Sequence, residues 1–456
     1  MLQHIFPHTP PRSGAPVRAR LLLPFVAVTA VTVATTACGR TTAPPSTGIR
    51  AEVQALVSGP IPGALLYVRQ GDRSYTVAAG YADKARKVPM RAGDTYKIGS
   101  TTKTFTAVLI MRLVAQGKLR LDAPISRYLP GLLPGGNQIT VRELLSHTSG
   151  LYGYEDSPRL QHVIANDLTK TWTPAQLIQV ADQHPPLFAP GTQFSYSTTG
   201  YLVLGLLAQR VGGESYARQL RDYITGPLHL SHTTLPNGTA GTPPDVHGYF
   251  ALSNFNKTAS PGPADITALS PTVAWSGGAI RSTVDDVATF YRALFTGKLL
   301  PKAEVAAMED TTATHGAYGL GLMPTGGNAY VWGPYTQAIN TTCGRAWGHG
   351  GNFPGYYQLP ISSPDGSRQA VLLVNADPSL IPQSQLKQVY HVLDTAYCRG
   401  VPSSPRRPND PSRALRDPTA ARRRTRCPRR RLRPAPATTR RISLPPGCRD
   451  TSSPGR

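Results

Sequence analysis

Strand-like alternation lies near both ends of this chain and helical periodicity fills the space between, so any sheet must be assembled from segments far apart in sequence. Ala64-Leu65-Leu66-Tyr67-Val68, a turn at Gly71-Asp72, and Tyr75-Thr76-Val77-Ala78 have the make-up of an antiparallel hairpin. Near the other end the same signature returns as Tyr356-Tyr357-Gln358-Leu359, a turn at Pro364-Asp365-Gly366, and Ala370-Val371-Leu372-Leu373-Val374. Between them, Phe105, Val108, Leu109, Met111, Leu113 and Val114 recur at helical spacing up to Gly117. Further helices are predicted over 141–146, 174–183, 201–210 and 284–295, with a last one over 385–397. The expected fold class is therefore α/β (α+β): an antiparallel sheet flanked by terminal helices, carrying a large, mainly helical insertion. The sheet part spans about 56–95 and 275–398, and the helical part about 96–274.

The two termini differ in composition from this body. Arg12, Arg18 and Arg20 precede an apolar stretch over 21–37 that ends in small residues, as an export signal does, and Pro24 and several threonines make it a poor membrane span. Thr35-Thr36-Ala37-Cys38 resembles a lipobox, in which Cys38 is lipidated at a new N-terminus. The expectation is an export signal over 1–38, with attachment to the outer face of the membrane through a lipid or, without lipidation, ordinary secretion. Thr, Pro and Ser enrichment over 41–47 has linker composition, and the linker is taken as 39–55, the hydrolytic body as 56–398.

The formal net charge is +23, a value that points to polyanion binding only when it is spread over a folded face. Residues 399–456 hold seventeen arginines, no lysine and three acids, so more than half of the excess lies there. With so few apolar residues that stretch is read as a disordered Arg/Pro-rich tail, and nucleic acid as an improbable partner. Cys343 and Cys398 are the two cysteines of the body, and in an exported protein they are expected to pair, free thiols being the alternative.

Chemistry concentrates at Ser100 and Lys103. Three residues apart at a helix start, they share one face. A serine hydroxyl needs a base, and a lysine in a desolvated cleft has a depressed pKa that suits it to that task. The helix start also supplies backbone N–H groups to a developing oxyanion. Alone, the same spacing describes an ordinary helix cap.

Five ordered blocks alter that reading: Ile98-Gly99-Ser100-Thr101-Thr102-Lys103-Thr104-Phe105-Thr106, Leu144-Leu145-Ser146-His147-Thr148-Ser149-Gly150-Leu151, Pro190-Gly191-Thr192-Gln193-Phe194-Ser195-Tyr196-Ser197, Ser276-Gly277-Gly278-Ala279-Ile280 and Gly348-His349-Gly350-Gly351-Asn352-Phe353-Pro354-Gly355-Tyr356. Through them the chain resembles the serine β-lactamase and D-alanyl-D-alanine carboxypeptidase family, in its class C and low-molecular-weight penicillin-binding branch. The resemblance implies that Ser100 is the nucleophile, Lys103 its proton partner and Tyr196 a proton relay whose pKa the cation would lower. It places substrate-binding roles on Thr198, His349, Gly350, Gly351 and Asn352: His349 would seat a carboxylate, Gly351 would let substrate approach the backbone, and Asn352 would offer an oxyanion N–H. Thr198 stands where the family usually carries Asn, and Gly350 lacks the usual hydroxyl. The block holding His147 is structural in the family, and His147 is left out of the catalytic set.

Neither metal-ligand spacing nor a nucleotide-binding fingerprint occurs, so no cofactor is expected. The resulting expectation is a serine acyl hydrolase, first a D-alanyl-D-alanine carboxypeptidase acting on small-molecule or peptide substrates of the cell wall, next an esterase or β-lactamase. Two rivals of other classes are a non-catalytic penicillin- or wall-binding domain and a polyanion-binding tail.

Overall fold

The computed structural model describes residues 41–42, 47–236, 244–325 and 341–399. The chain divides into two compact units, 1–402 and 403–456, and every described residue belongs to the first. A mostly antiparallel sheet runs in the order Thr41–Thr42, Arg73–Asp83, Gly63–Gln70, Arg368–Val374, Tyr356–Ser362, Trp347–Gly348, Met323–Pro324. The hairpin at the start of the body thus pairs directly with the hairpin near its end, Leu66 opposite Leu372.

Alternation along these strands builds two cores. Leu65, Tyr67, Val371 and Leu373 face the helical layer, whereas Ala64, Leu66, Val68, Ala370, Leu372 and Val374 face the terminal helices. All of them are buried, and truncating Leu66 or Leu372 to Ala would cost about 2–5 kcal/mol. On the outer face the helix Gln383–Arg399 packs beside Thr47–Leu56, and Gln385 Nε2 donates to the Leu56 and Ser58 carbonyls at 3.0 Å each. The Sγ atoms of Cys343 and Cys398 are bonded, joining that last helix to the segment leading into Trp347–Gly348.

Thr47–Leu56 corrects one boundary. The linker expected over 39–55 gives way at Thr47 to a helix whose Ile49, Val53 and Leu56 form a buried stripe against the sheet and the C-terminal helix. Thr, Pro and Ser just upstream masked a stripe at helical spacing. The helical layer is as expected in kind. Helices run over Thr102–Ala115, Val141–Leu145, Pro174–Asp182, Thr198–Gly212 and Val284–Phe295. Thr283 caps the last of these by accepting from the Asp286 N–H, and Thr140 with Glu143 forms a capping box on Val141–Leu145. The region expected to be helical also contains the further helix Pro158–Asn166 and a small hairpin, Tyr249–Ala251 with Pro263–Asp265, whose three-residue strands are too short to leave a periodic signature. The export signal over 1–38, the lipidation site Cys38 and the Arg-rich tail beyond Arg399 lie outside the described residues.

Candidate active site

Ser100 enters the site from a tight turn. Tyr96–Lys97 pairs with Arg281–Ser282, and a 3-10 turn over Gly99–Thr101 then leads into the buried helix Thr102–Ala115. Gly99 has φ +54°, and a Cβ there would stand 2.6 Å from the Asn352 carbonyl carbon, so this position requires glycine. Gly351 answers it from the opposite strand, where a side chain would overlap the Ile98 carbonyl. Gly351 therefore serves the approach of strand to turn.

Lys103 lies behind Ser100, fully buried. Its Nζ is 3.1 Å from Ser100 Oγ, 3.3 Å from Thr198 Oγ1 and 2.9 Å from the Gly277 carbonyl. Burial lowers its pKa to about 7, and the charge of Glu155 works in the opposite direction. Near neutrality a large share of Lys103 is thus free amine, able to take the Ser100 proton. Gly277 must be glycine for this contact, since a Cβ would overlap the Thr198 methyl.

Tyr196 hydrogen-bonds through its side chain to Ser100, and its ring lies 4.8 Å from Lys103 Nζ. Burial raises its pKa well above the ordinary phenol value, so it stands as a neutral hydroxyl, not the cation-lowered phenol expected from sequence. His147 holds the backbone on either side of it: the Ser195 N–H donates to the His147 carbonyl at 3.0 Å, and the Ser197 N–H donates to His147 Nδ1 at 3.1 Å. The two rings lie 4.2 Å apart. His147 thereby positions Tyr196, and burial keeps its imidazole far below the usual pKa.

His349 is 1% exposed. Its Nδ1 lies 2.7 Å from the Gly350 carbonyl, which only accepts, so that nitrogen carries the proton and Nε2 accepts from the Tyr318 hydroxyl at 2.8 Å. Burial lowers its pKa to about 3, with the Lys103 charge acting the same way. A neutral imidazole with both nitrogens occupied supplies no cation, and the expected carboxylate-seating role is corrected accordingly. Its carbonyl accepts from Thr101 Oγ1 at 2.8 Å, fixing the strand to the Gly99–Thr101 turn.

The cleft in front of Ser100 has a volume of about 720 Å³. Thr198, His349, Gly350 and Asn352 line it, as do Leu160, Ile164, Phe250, Phe255, Val273 and Phe353. Its charged lining is acidic: Glu155, Asp156 and Asp377, with no lysine or arginine among the described residues that line it. Glu155 Oε1 accepts from the Thr198 N–H at 2.8 Å, while its buried Oε2 has no hydrogen-bond partner. Partial burial and then the Glu155 charge push the Asp156 carboxyl up to about 6. Burial also raises the pKa of Asp377, which caps its own turn by accepting from the Ser379 N–H at 2.9 Å.

Sequence reasoning missed Glu155, Tyr318 and Asp377. None stands in a spaced motif, and Glu155 and Tyr318 act on partners distant in the chain. The signal that was present is the pair Glu155-Asp156 beside an aromatic in a chain with few acids.

Comparison with known proteins agrees with this geometry. The family described as Beta-lactamase matches residues 49–389. Protein flp of Staphylococcus aureus (strain MRSA252) is 33% identical over 202 residues, which cover 42% of this chain and 39% of that protein. The chain thus spans about two fifths of the length of such curated relatives. Among solved structures, a D-stereospecific amidohydrolase from Streptomyces sp. is 33% identical with a TM-score of 0.65, covering 78% of this chain and 99% of its own. D-amino acid amidase from Ochrobactrum anthropi SV3, complexed with L-phenylalanine amide, is 26% identical with a TM-score of 0.63, covering 76% and 96%.

Proposed function

The chain belongs to the beta-lactamase family, a family of serine acyl hydrolases, and from that premise we propose that it hydrolyses amides or short peptides of D-amino acids whose α-ammonium is free. The observation that carries the reading is the charge of the cleft. With Glu155, Asp156 and Asp377 as its charged lining and no lysine or arginine beside them among the described residues, it favours a cationic substrate end over an anionic one. Glu155 lines the cleft with one carboxylate oxygen tied to the Thr198 N–H and the other without a hydrogen-bond partner, so its charge is the one an ammonium would meet. The D configuration is supported by the activities of the Streptomyces and Ochrobactrum proteins alone.

In this mechanism neutral Lys103 takes the Ser100 proton as Oγ bonds to the carbonyl carbon. The backbone N–H groups of Ser100 and Asn352 hold the oxyanion. The proton then passes from Lys103 through the Tyr196 hydroxyl to the leaving nitrogen as the C–N bond breaks. Water repeats the sequence on the acyl-enzyme and releases the acid. Apolar side chains such as Leu160, Ile164 and Phe250 would receive the substrate side chain.

A D-alanyl-D-alanine carboxypeptidase would share these steps, and the volume of the cleft, roomy enough for a peptide stem, favours it as a second reading. Its weakness is the missing cation for a terminal carboxylate. Export and lipidation at Cys38 remain part of the proposal and would set either activity at the cell wall; loss of labelled-palmitate incorporation in Cys38→Ser tests that part.

The activity test offers the purified protein D-phenylalanine amide, its L enantiomer, N-acetyl-D-phenylalanine amide, a D-Ala-D-Ala peptide, a short-chain ester and a fluorescent penicillin. Turnover of D-phenylalanine amide well above its L and N-acetyl counterparts is the expected outcome. Release of D-Ala with a penicillin adduct on Ser100, and no amide turnover, would move the protein to the carboxypeptidase reading. Ester hydrolysis alone would make it an esterase, and no reaction with any of them would leave a binding domain.

A further inference from the structure

The nucleophile's base and the acid of the cleft are joined through one residue. Lys103 Nζ lies 3.3 Å from Thr198 Oγ1, and the Thr198 backbone N–H donates to Glu155 Oε1 at 2.8 Å. Thr198 therefore touches the base with its hydroxyl and the acid with its amide. Its methyl fills the space at Gly277, whose carbonyl is the third Lys103 contact. Asn at this position would lack that methyl, so the departure from the family pattern has a packing reason in this chain.

The other ionisable groups facing Lys103 carry no charge that could replace Glu155. Tyr196 and Tyr201, whose rings lie 4.8 and 5.6 Å from Nζ, are neutral phenols, since burial raises both. His147 and His349 are neutral imidazoles, since burial lowers both. Glu155 is thus the acid whose charge holds a proton on Lys103. A cation brought against Glu155 from the cleft would offset that hold through its own repulsion of Lys103.

Resting on the reading that the substrate carries a free ammonium, we infer that the substrate prepares its own base: by docking on Glu155 it releases Lys103 from that carboxylate, and Lys103 loses its proton to solvent before Ser100 attacks. Glu155 is in this respect a positioning residue, acting on the chemistry through Lys103. An amide without the ammonium would meet a Lys103 still held in its protonated form at mildly acidic pH, so the device selects for charge in the chemical step as well as in binding.

The experiment compares pH profiles of kcat for D-phenylalanine amide and its desamino analogue, 3-phenylpropionamide, on the wild-type protein and on Glu155→Gln. In the wild type, the acidic limb of kcat should lie on the order of one pH unit lower for the ammonium substrate, about a fivefold advantage in kcat at pH 6 from protonation alone. In Glu155→Gln, which keeps an acceptor for the Thr198 N–H, the acidic limb for the desamino amide should move down toward the wild-type ammonium value. Coincident limbs for the two substrates in the wild type would overturn the inference while leaving the ammonium preference in place. Equal kcat/KM for both substrates would instead defeat the functional reading on which it rests. Should Glu155→Gln depress both activities by one factor with neither limb displaced, Glu155 is a structural clamp and the inference fails; the wild-type comparison needs no variant to fold.

Discussion

The turn that carries Ser100 has a buried lysine on each side of it, and the two differ in what surrounds them. Lys97 is 4% exposed and donates to the Thr267 and Leu269 carbonyls at 2.9 and 2.6 Å, with its Nζ 4.9 Å from the Phe353 ring. Lys103 donates to one carbonyl but also reaches the hydroxyls of Ser100 and Thr198. Burial brings each to about 7, and each has one opposing acid, Asp265 for Lys97 and Glu155 for Lys103. A depressed pKa is thus common to both and identifies neither as a base. What separates them is the presence of a group whose proton can be taken: Lys97 faces carbonyls, which have none to give.

That contrast breaks most sharply on removal of each ammonium. Lys103→Met should lower kcat by about 10³–10⁴-fold while the protein still folds, as measured by steady-state kinetics alongside circular dichroism. Equal losses from Lys97→Met would erase the distinction. Tyr196→Phe should lower kcat by about 10²-fold if the phenol relays the proton to the leaving group as proposed, and a burst of acyl-enzyme by mass spectrometry would tell which half-reaction suffers. Lys97→Met should retain most turnover yet lose about 2 kcal/mol in urea unfolding, since the Thr267 and Leu269 carbonyls lose their donor.

The smallest effect is on the pH dependence of stability. Both lysines have folded-state pKa values depressed below that of the unfolded chain. Between about pH 7 and 10 the unfolded state therefore binds more protons, and stability rises with pH by up to about 1.4 kcal/mol per unit for each lysine. Above that window buried tyrosines such as Tyr201 and Tyr216, with raised values, reverse the slope. Either Met variant should remove one lysine's share, and unfolding midpoints at pH 7, 8 and 9 would show whether the two shares match.

Much of this architecture was legible in sequence because it depends on local periodicity. Alternation at 64–78 and 356–374 encodes two-faced strands, and the run after Gly99 encodes a helix, whatever lies elsewhere in the chain. The Ser100 and Lys103 pair was legible for the same reason, being set by one helical turn. The charge state of His349 was not, because it depends on Tyr318, thirty-one residues away, and on burial that only the closed fold creates. Glu155 was hidden likewise: its partner Thr198 is forty-three residues further on, and no spacing rule reaches across a loop and a helix start. The helix Thr47–Leu56 was concealed by its neighbours' composition, although Ile49, Val53 and Leu56 carried its period.

The acid lining of the cleft has one more consequence, for what leaves it. An amide and the acid made from it differ by a single negative charge, and the acid acquires that charge in front of Glu155, Asp156 and Asp377. On the proposed reaction the lining that draws in the reactant would hold its product less strongly, and repulsion of the new carboxylate would favour its departure.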